Sequence, residues 1–259
     1  MTTNITTTTT PATLWGVGVG PGAPDLITLR AVNVMRKADV LALPRASDWS
    51  ESQAWRIARD AVGDVPGQER LRLTFPMSKD PDKLRPSWEK AFAAIGERLA
   101  AGKNVAFVTE GDPSLFSTFI YLSREVEARW PDVPIEIVPA VSSVLAVPAR
   151  ARVPLADGCE RIAIIPATYG TEDLRGVLRT FDTTVIMKIG EAFPDVIEAI
   201  HAEDLASRAV FVSRATMAEE RIERDLSRVT REDCDCFAMI VVARRERHGL
   251  LAGREVSPQ

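Results

Sequence analysis

Cysteine, histidine and excess charge of either sign are all scarce in this chain, and each scarcity removes a class of function. Three cysteines in 259 residues, Cys159, Cys234 and Cys236, are too few for a disulfide framework, and a reducing cytoplasm is the expected compartment. Cys234-Asp235-Cys236 spaces two thiols one residue apart but has no second pair and no nearby histidine, so no zinc or other metal site is expected. The two histidines, His201 and His248, stand in no motif, and neither is expected to be catalytic. The formal net charge of −4 gives no basic footprint for a nucleic acid. No apolar run is long enough to span a membrane. The start of the chain is threonine-rich, without the basic start and apolar core of a signal peptide. Residues 1–13 are read as a disordered tail outside the fold.

What is there is ordinary globular material, 46% hydrophobic and 26% charged, with a repeated strand-helix pattern. Residues 14–19 form a short apolar run broken by glycines, and Ile27, Ala31, Val34, Met35 and Ala38 follow at helical spacing. Residues 40–43 predict a second strand, and Ala54, Ile57, Ala58 and Ala61 a second helix. Residues 64–85 are polar with two apolar islands and no assigned element. Trp88, Ala91, Phe92, Ile95 and Leu99 then mark an amphipathic helix closed by Gly102. Residues 105–108 are continuously apolar, as in a parallel strand covered on both faces. A helix with Phe116, Phe119, Ile120 and Val126 on one side and a strand at 135–138 follow.

This alternation predicts an α/β fold with a parallel sheet between helices. Proline, arginine and glycine interrupt it between about 148 and 158. The expected domains are therefore 14–150, with a parallel sheet, and 158–246. The second restarts with strands at 161–165, 184–188 and 209–213. It ends on 221–229 and 237–242 with no helix between them, which predicts an antiparallel finish and a mixed sheet.

Three breaks carry the functional signal. Gly16-Val17-Gly18-Val19-Gly20-Pro21-Gly22 joins the first strand to the first helix. Its spacing invites a dinucleotide reading, and Asp39 lies about twenty residues on, where a ribose-binding acid would sit. Pro21, however, removes an N–H from a turn that would work by pointing N–H groups at a pyrophosphate. A tight turn with no ligand is the plainer alternative. Glu110-Gly111-Asp112-Pro113 and Pro139-Ala140-Val141-Ser142-Ser143 break two later strands at the same, carboxyl end. Ligands of open α/β sheets bind outside that edge, so three unusual loops there predict a ligand site.

Taken together, the run from Gly16 to Ala31, the Gly111-Asp112-Pro113 break and the 139–143 segment resemble the tetrapyrrole (corrin and porphyrin) methylase family. The match runs from about residue 14 to 245. Within it the chain looks like the members that methylate C20 of precorrin-2 or of cobalt-factor II, on Phe75-Pro76-Met77 with Trp88, on residues 117–122, and on residues 185–190. The resemblance implies two αβα domains of the class III methyltransferase kind, a homodimer, and S-adenosylmethionine as methyl donor, leaving as S-adenosylhomocysteine. It implies a tetrapyrrole substrate, precorrin-2 going to precorrin-3A in cobalamin synthesis. Cobalt-factor II, uroporphyrinogen III and precorrin-4 are the alternatives within the family. It places the cofactor contacts at Pro21, Gly111, Asp112, Leu115, Ser142, Ser143, Ile189 and Ala215. Precorrins carry acetate and propionate arms, so Arg30, Arg45 and Lys188 are candidate substrate contacts. For each, an ordinary solvated charge is the competing reading. Asp112 and the two serines could equally serve as turn and helix caps. No catalytic base is assigned.

Overall fold

The computed structural model describes residues 12–76, 80–168 and 170–246. The threonine-rich start to residue 11, Met77 and His248 lie outside the described residues. Two compact units divide between Ser143 and Val144.

The first unit is built on a five-stranded parallel sheet of order β3-β2-β4-β1-β5, formed by β1 (Leu14–Gly18), β2 (Val40–Arg45), β3 (Glu69–Thr74), β4 (Val105–Thr109) and β5 (Ile135–Val138). Central β1 pairs with β4 on one side, Leu14 opposite Val105, and with β5 on the other, Leu14 opposite Ile135. Helices cover both faces. On one, α1 (Leu29–Lys37) lies on β1 and α2 (Gln53–Val62) on β2. On the other, α3 (Pro81–Ala100) and α4 (Phe119–Arg129) close a core of Leu14, Val40, Phe107, Phe92, Ile95, Phe119 and Leu122. The four buried residues of β4 before Thr109 are the continuous apolar run noted above. A strand with helices on both faces has no polar side to offer.

Local chemistry sets the helix ends. Thr28 accepts the N–H of Ala31 at 3.1 Å and starts α1. Ser52 accepts from Trp55 at 3.4 Å and starts α2, which ends at Gly63 with φ of 72°. Arg36 ties the two helices, donating to the carbonyls of Val62 and Ala61 at 2.9 Å. Gly96 lets α3 approach the residue after α4, since a Cβ there would sit 2.2 Å from the Trp130 ring.

Two local expectations are corrected. The polar stretch after residue 63 contains β3, an edge strand paired in parallel with β2 from Val40 opposite Glu69. Its arginines mask the period-two pattern, because only one face meets the core: Leu73 is buried there, while Arg70 and Arg72 point the other way. Phe116 does not belong to the helix that follows it. It is 43% exposed with φ of 52°, and α4 begins three residues later.

The second unit begins with α5 (Ser143–Ala151), apart from its opening serine. Its five-stranded mixed sheet has the order β6-β7-β10-β8-β9, from β6 (Ile162–Pro166), β7 (Thr183–Met187), β8 (Ala209–Ser213), β9 (Arg221–Glu223) and β10 (Ala238–Ala243). As expected, the finish is antiparallel: β10 runs against both β7 and β8. Helices α6 (Thr171–Thr180) and α7 (Phe193–Ala202) bury Leu174, Leu178, Val196 and Ile200 against Ile186, Phe211 and Ile240. His201 lies exposed in the last turn of α7.

Candidate functional site

The three unusual loops of the first unit meet at the carboxyl edge of its sheet. The loop after β1 and the loop after β4 are bridged backbone to backbone: Gly20 donates to Gly111 at 3.3 Å and Gly111 donates back at 2.9 Å. One residue earlier, Val19 donates to Thr109 at 3.0 Å. The loop after β5 joins through Asp112, whose Oδ2 accepts the N–H of Ala140 at 2.9 Å. Gly18 stands where all three converge. A Cβ on it would lie 2.5 Å from the Gly111 carbonyl oxygen, 2.6 Å from Ala140 Cβ and 2.9 Å from Pro113. Glycine is required there by close approach of backbone, not by its dihedral freedom.

The glycine-rich motif thus resolves into separate jobs. Gly16 lies under the Phe119 ring, Gly18 under the two other loops, and Gly20 turns the chain with φ of 81°. Buried Pro21 follows, then a 3-10 turn at Pro24–Leu26, then the Thr28 cap of α1. Asp39 sits elsewhere. It precedes β2, at the amino end of the strands, and its carboxylate accepts from the backbone N–H of Asn104 at 2.8 Å. A ribose-binding acid must stand at the opposite edge, so the dinucleotide reading fails on position as well as on Pro21.

Asp112 holds the edge together. Its Oδ1 accepts from the backbone N–H of Ser114 at 2.9 Å and from the Ser114 hydroxyl. Burial alone would raise its pKa, but these bonds and that from Ala140 outweigh burial and lower it, so the carboxylate is ionised at neutral pH. The turn and cap role weighed above is therefore present, and of about four acceptor sites one, on Oδ2, is left. Leu115, half-buried, donates to the Asp112 carbonyl at 3.2 Å. Gly111 has φ of 61° and nothing within 4 Å of where a Cβ would be. Its backbone therefore faces open space that any other side chain would fill, which suits close approach by a cofactor. Ser142 and Ser143 are half-buried at the end of the third loop, and Ser143 opens α5.

Glu110 keeps exposed surface, yet protein crowds its carboxyl: burial raises its pKa, against the N–H groups of Glu110 itself and of Ala54. The carboxyl thus adjoins the first turn of α2. Below it, Thr109 and Ser117 share a buried hydroxyl pair at 3.1 Å, which pins the segment leading to Phe119.

In the second unit, Ile189 and Ala215 follow β7 and β8. Both strands run against β10, so their carboxyl ends share one edge of that sheet. The backbone there is strained: Lys188, Arg214 and Thr216 take φ of 55°, 51° and 69°. Such geometry costs about 1–3 kcal/mol per residue and clusters at functional sites. It is held in place. Glu220 accepts the Thr216 N–H at 2.7 Å and pairs with Arg150, whose Nε lies 2.8 Å from Oε2. Ile189 is fully buried and Ala215 nearly so.

The candidate substrate cations are not equivalent. Arg30 is paired with Glu136, which also accepts from the Trp15 indole at 3.3 Å. Arg45 is engaged on three nitrogens, by Thr74 at 3.1 Å and by the Asp48 carbonyl and carboxylate at 2.7 and 2.8 Å. Phe75 and Trp88 pack with tilted rings, centroids 4.6 Å apart, and Trp88 also meets Tyr121 at 5.8 Å. Sequence reasoning placed Glu110 at this edge without a role, and missed Glu220 and the arginines of β3. Only three-dimensional placement distinguishes them from solvated charges.

The model of the Tetrapyrrole (Corrin/Porphyrin) Methylases matches residues 13–229, and the chain belongs to that family, whose members use S-adenosylmethionine. It is 35% identical over 218 residues to the cobalt-precorrin-2 C(20)-methyltransferase of Salmonella typhimurium, covering 83% of this chain and 89% of that one. It is 33% identical over 249 residues to the cobalamin biosynthesis protein CobIJ of Mycobacterium tuberculosis, covering 93% of this chain but 48% of that protein's length. A solved uroporphyrin-III C-methyl transferase from Thermus thermophilus, complexed with S-adenyl homocysteine, shares the fold at a TM-score of 0.64 and 20% identity, over 90% of this chain and 92% of the other.

Proposed function

We propose that this protein transfers a methyl group from S-adenosylmethionine to C20 of precorrin-2, giving precorrin-3A, in the synthesis of the corrin ring. The observation that carries the reading is the convergence of the three loops on Gly18 at the carboxyl edge of a parallel sheet. The likeness to the Salmonella enzyme supports the position methylated, and by its name favours a cobalt-containing macrocycle as the second candidate substrate.

When bound, S-adenosylmethionine supplies an electrophilic methyl carbon on a sulfonium whose leaving group is neutral. The chain's own task is alignment, which can be worth roughly 7–11 kcal/mol. Gly111 offers its backbone, Asp112 holds the loops and presents a carboxylate, and Pro21, Leu115, Ser142 and Ser143 complete the contacts of this edge. The family resemblance adds Ile189 and Ala215 to the cofactor contacts. Arg30 and Arg45 could meet substrate carboxylates only by giving up their present partners, and Lys188 is the third candidate charge. The family resemblance supports a homodimer, and the free thiols of Cys159, Cys234 and Cys236 suit a cytoplasmic setting.

The test has two parts. S-adenosylhomocysteine at 100 times its Kd should stabilise the native chain by roughly 2.7 kcal/mol, with no comparable shift from NAD(H). With precorrin-2, and separately its cobalt form, NMR should place the new methyl carbon at C20. Stabilisation by NAD(H) alone, or a methyl at C2 or C11, would overturn the reading.

A further inference from the structure

Edge strand β3 and the start of α2 enclose a cavity of about 420 Å³, lined among others by Leu43, Arg45, Trp49, Trp55, Arg70 and Arg72. It lies beside Leu43 and Arg45 in the carboxyl half of β2 and against Arg70 and Arg72 of β3. The first turn of α2 forms part of its wall through Trp55, and the adjoining Ala54 N–H reaches the Glu110 carboxyl. Cavity and loop cluster are therefore neighbours within one unit.

Its charges are unequally committed. Arg45 is held by Thr74 and Asp48, and the Asp48 carboxylate also accepts the Thr74 hydroxyl at 2.6 Å. Arg70 lies 4.4 Å above the Trp55 ring and bonds Asp64 at 2.7 Å. Glu51 is drawn outward to Arg59 and Arg56, at 3.5 and 3.9 Å. Exposed Arg72 is different: among the described residues it has no hydrogen bond, ion pair or ring contact. Its placement follows from the strand period, which sends Arg70 and Arg72 to the face away from Leu73. Beside it Trp49 is 97% exposed, an indole that the fold leaves almost bare.

A free guanidinium over an apolar floor of Leu43 and Trp55, with a bare indole at the rim, matches a carboxylate carried on a flat apolar body. We propose that this cavity binds a carboxylate side arm of the tetrapyrrole, with Arg72 gripping the carboxylate and Trp49 covering the edge of the ring. The inference rests on the reading above and adds to it a subsite that fixes how the macrocycle is presented. Arg45, held on all three nitrogens by Thr74 and Asp48, is the scaffold of the subsite and not its grip.

The test uses the full chain and uroporphyrin, a polycarboxylic porphyrin, with its methyl ester as partner probe, read through tryptophan fluorescence. Uroporphyrin should quench the wild type and the ester should not. Arg72→Gln should weaken uroporphyrin binding and raise KM for precorrin-2 about tenfold, with kcat and S-adenosylhomocysteine binding unchanged. Arg72→Lys should recover part of that loss. Equal affinity for acid and ester, or an Arg72→Gln protein with wild-type KM and uroporphyrin affinity, would overturn the subsite. If the wild type still methylates C20 in that case, only the subsite falls. A wild type that binds S-adenosylhomocysteine but no tetrapyrrole overturns both readings.

Discussion

Asp112 and Ala140, 28 residues apart, are joined by one bond from a backbone N–H to a carboxylate oxygen at 2.9 Å, and that bond fastens the loop after β5 to the loop after β4. Asp112→Ala removes the acceptor for Ala140 and for both donors of Ser114. The exposed Ser114 donors turn to water, whereas the part-buried Ala140 N–H loses a bond to a charged acceptor, worth about 1.5–3 kcal/mol. Urea unfolding should show that loss, and S-adenosylhomocysteine should bind more weakly. A variant of wild-type stability and affinity would show that the loops hold their places without Asp112.

Gly18→Ala places a carbon 2.5 Å from a backbone oxygen, an atom that cannot swing aside. Overpacking of this kind costs about 1–3 kcal/mol, and the forced separation of the loops should abolish S-adenosylhomocysteine binding. Gly176→Ala is the contrast. It lies within α6 with nothing within 4 Å of the added carbon, so it should stabilise the chain by about 0.5–1 kcal/mol. Thermal melts of the two variants should move in opposite directions.

Glu110 gives a pH dependence of defined sign. Burial raises its pKa above the 4.5 of an ordinary glutamate, so the folded chain keeps a proton that the unfolded chain has already released. Ionisation then works against folding: the penalty is absent below about pH 4.5 and complete once the pH exceeds the folded pKa. Glu110→Gln should therefore melt higher than the wild type near neutral pH, and the gap should close on acidification. A gap that stays constant with pH would assign the effect to something other than this carboxyl.

The thiols should react unequally. Burial, with Asp233 and Asp235 nearby, pushes Cys234 up to about 11, whereas Cys159 and Cys236 are exposed. Since the thiolate is the reactive form, iodoacetamide near pH 8 should label Cys159 in the native chain and reach Cys234 only after unfolding. Mass spectrometry of the peptides would expose the opposite order.

Much of the fold was legible where periodicity and burial coincide. The apolar run of β4, buried on both faces, and the antiparallel approach of β10 could be read directly. Edge strand β3 could not, because Arg70 and Arg72 occupy its outer face and imitate a loop. Phe116 looked helical by spacing, but its φ of 52° belongs to the turn before α4. In the candidate site, the glycines announced close backbone approach without saying against what. That Gly18 meets Gly111 and Ala140 is set by the strand order, which places β1 between strands that come much later in the chain. Nor could composition tell the well-held guanidinium of Arg45 from that of Arg72, because both are arginines on neighbouring strands.

The central place of β1 also governs how the molecule can be made. Its partners, β4 and β5, begin at residues 105 and 135, so this buried strand leaves the ribosome long before either neighbour exists. Until β4 and β5 have been synthesised, five apolar and glycine residues wait with unsatisfied edges on both sides. The strand order thus makes shielding of nascent β1, until β4 and β5 emerge, a condition of correct assembly.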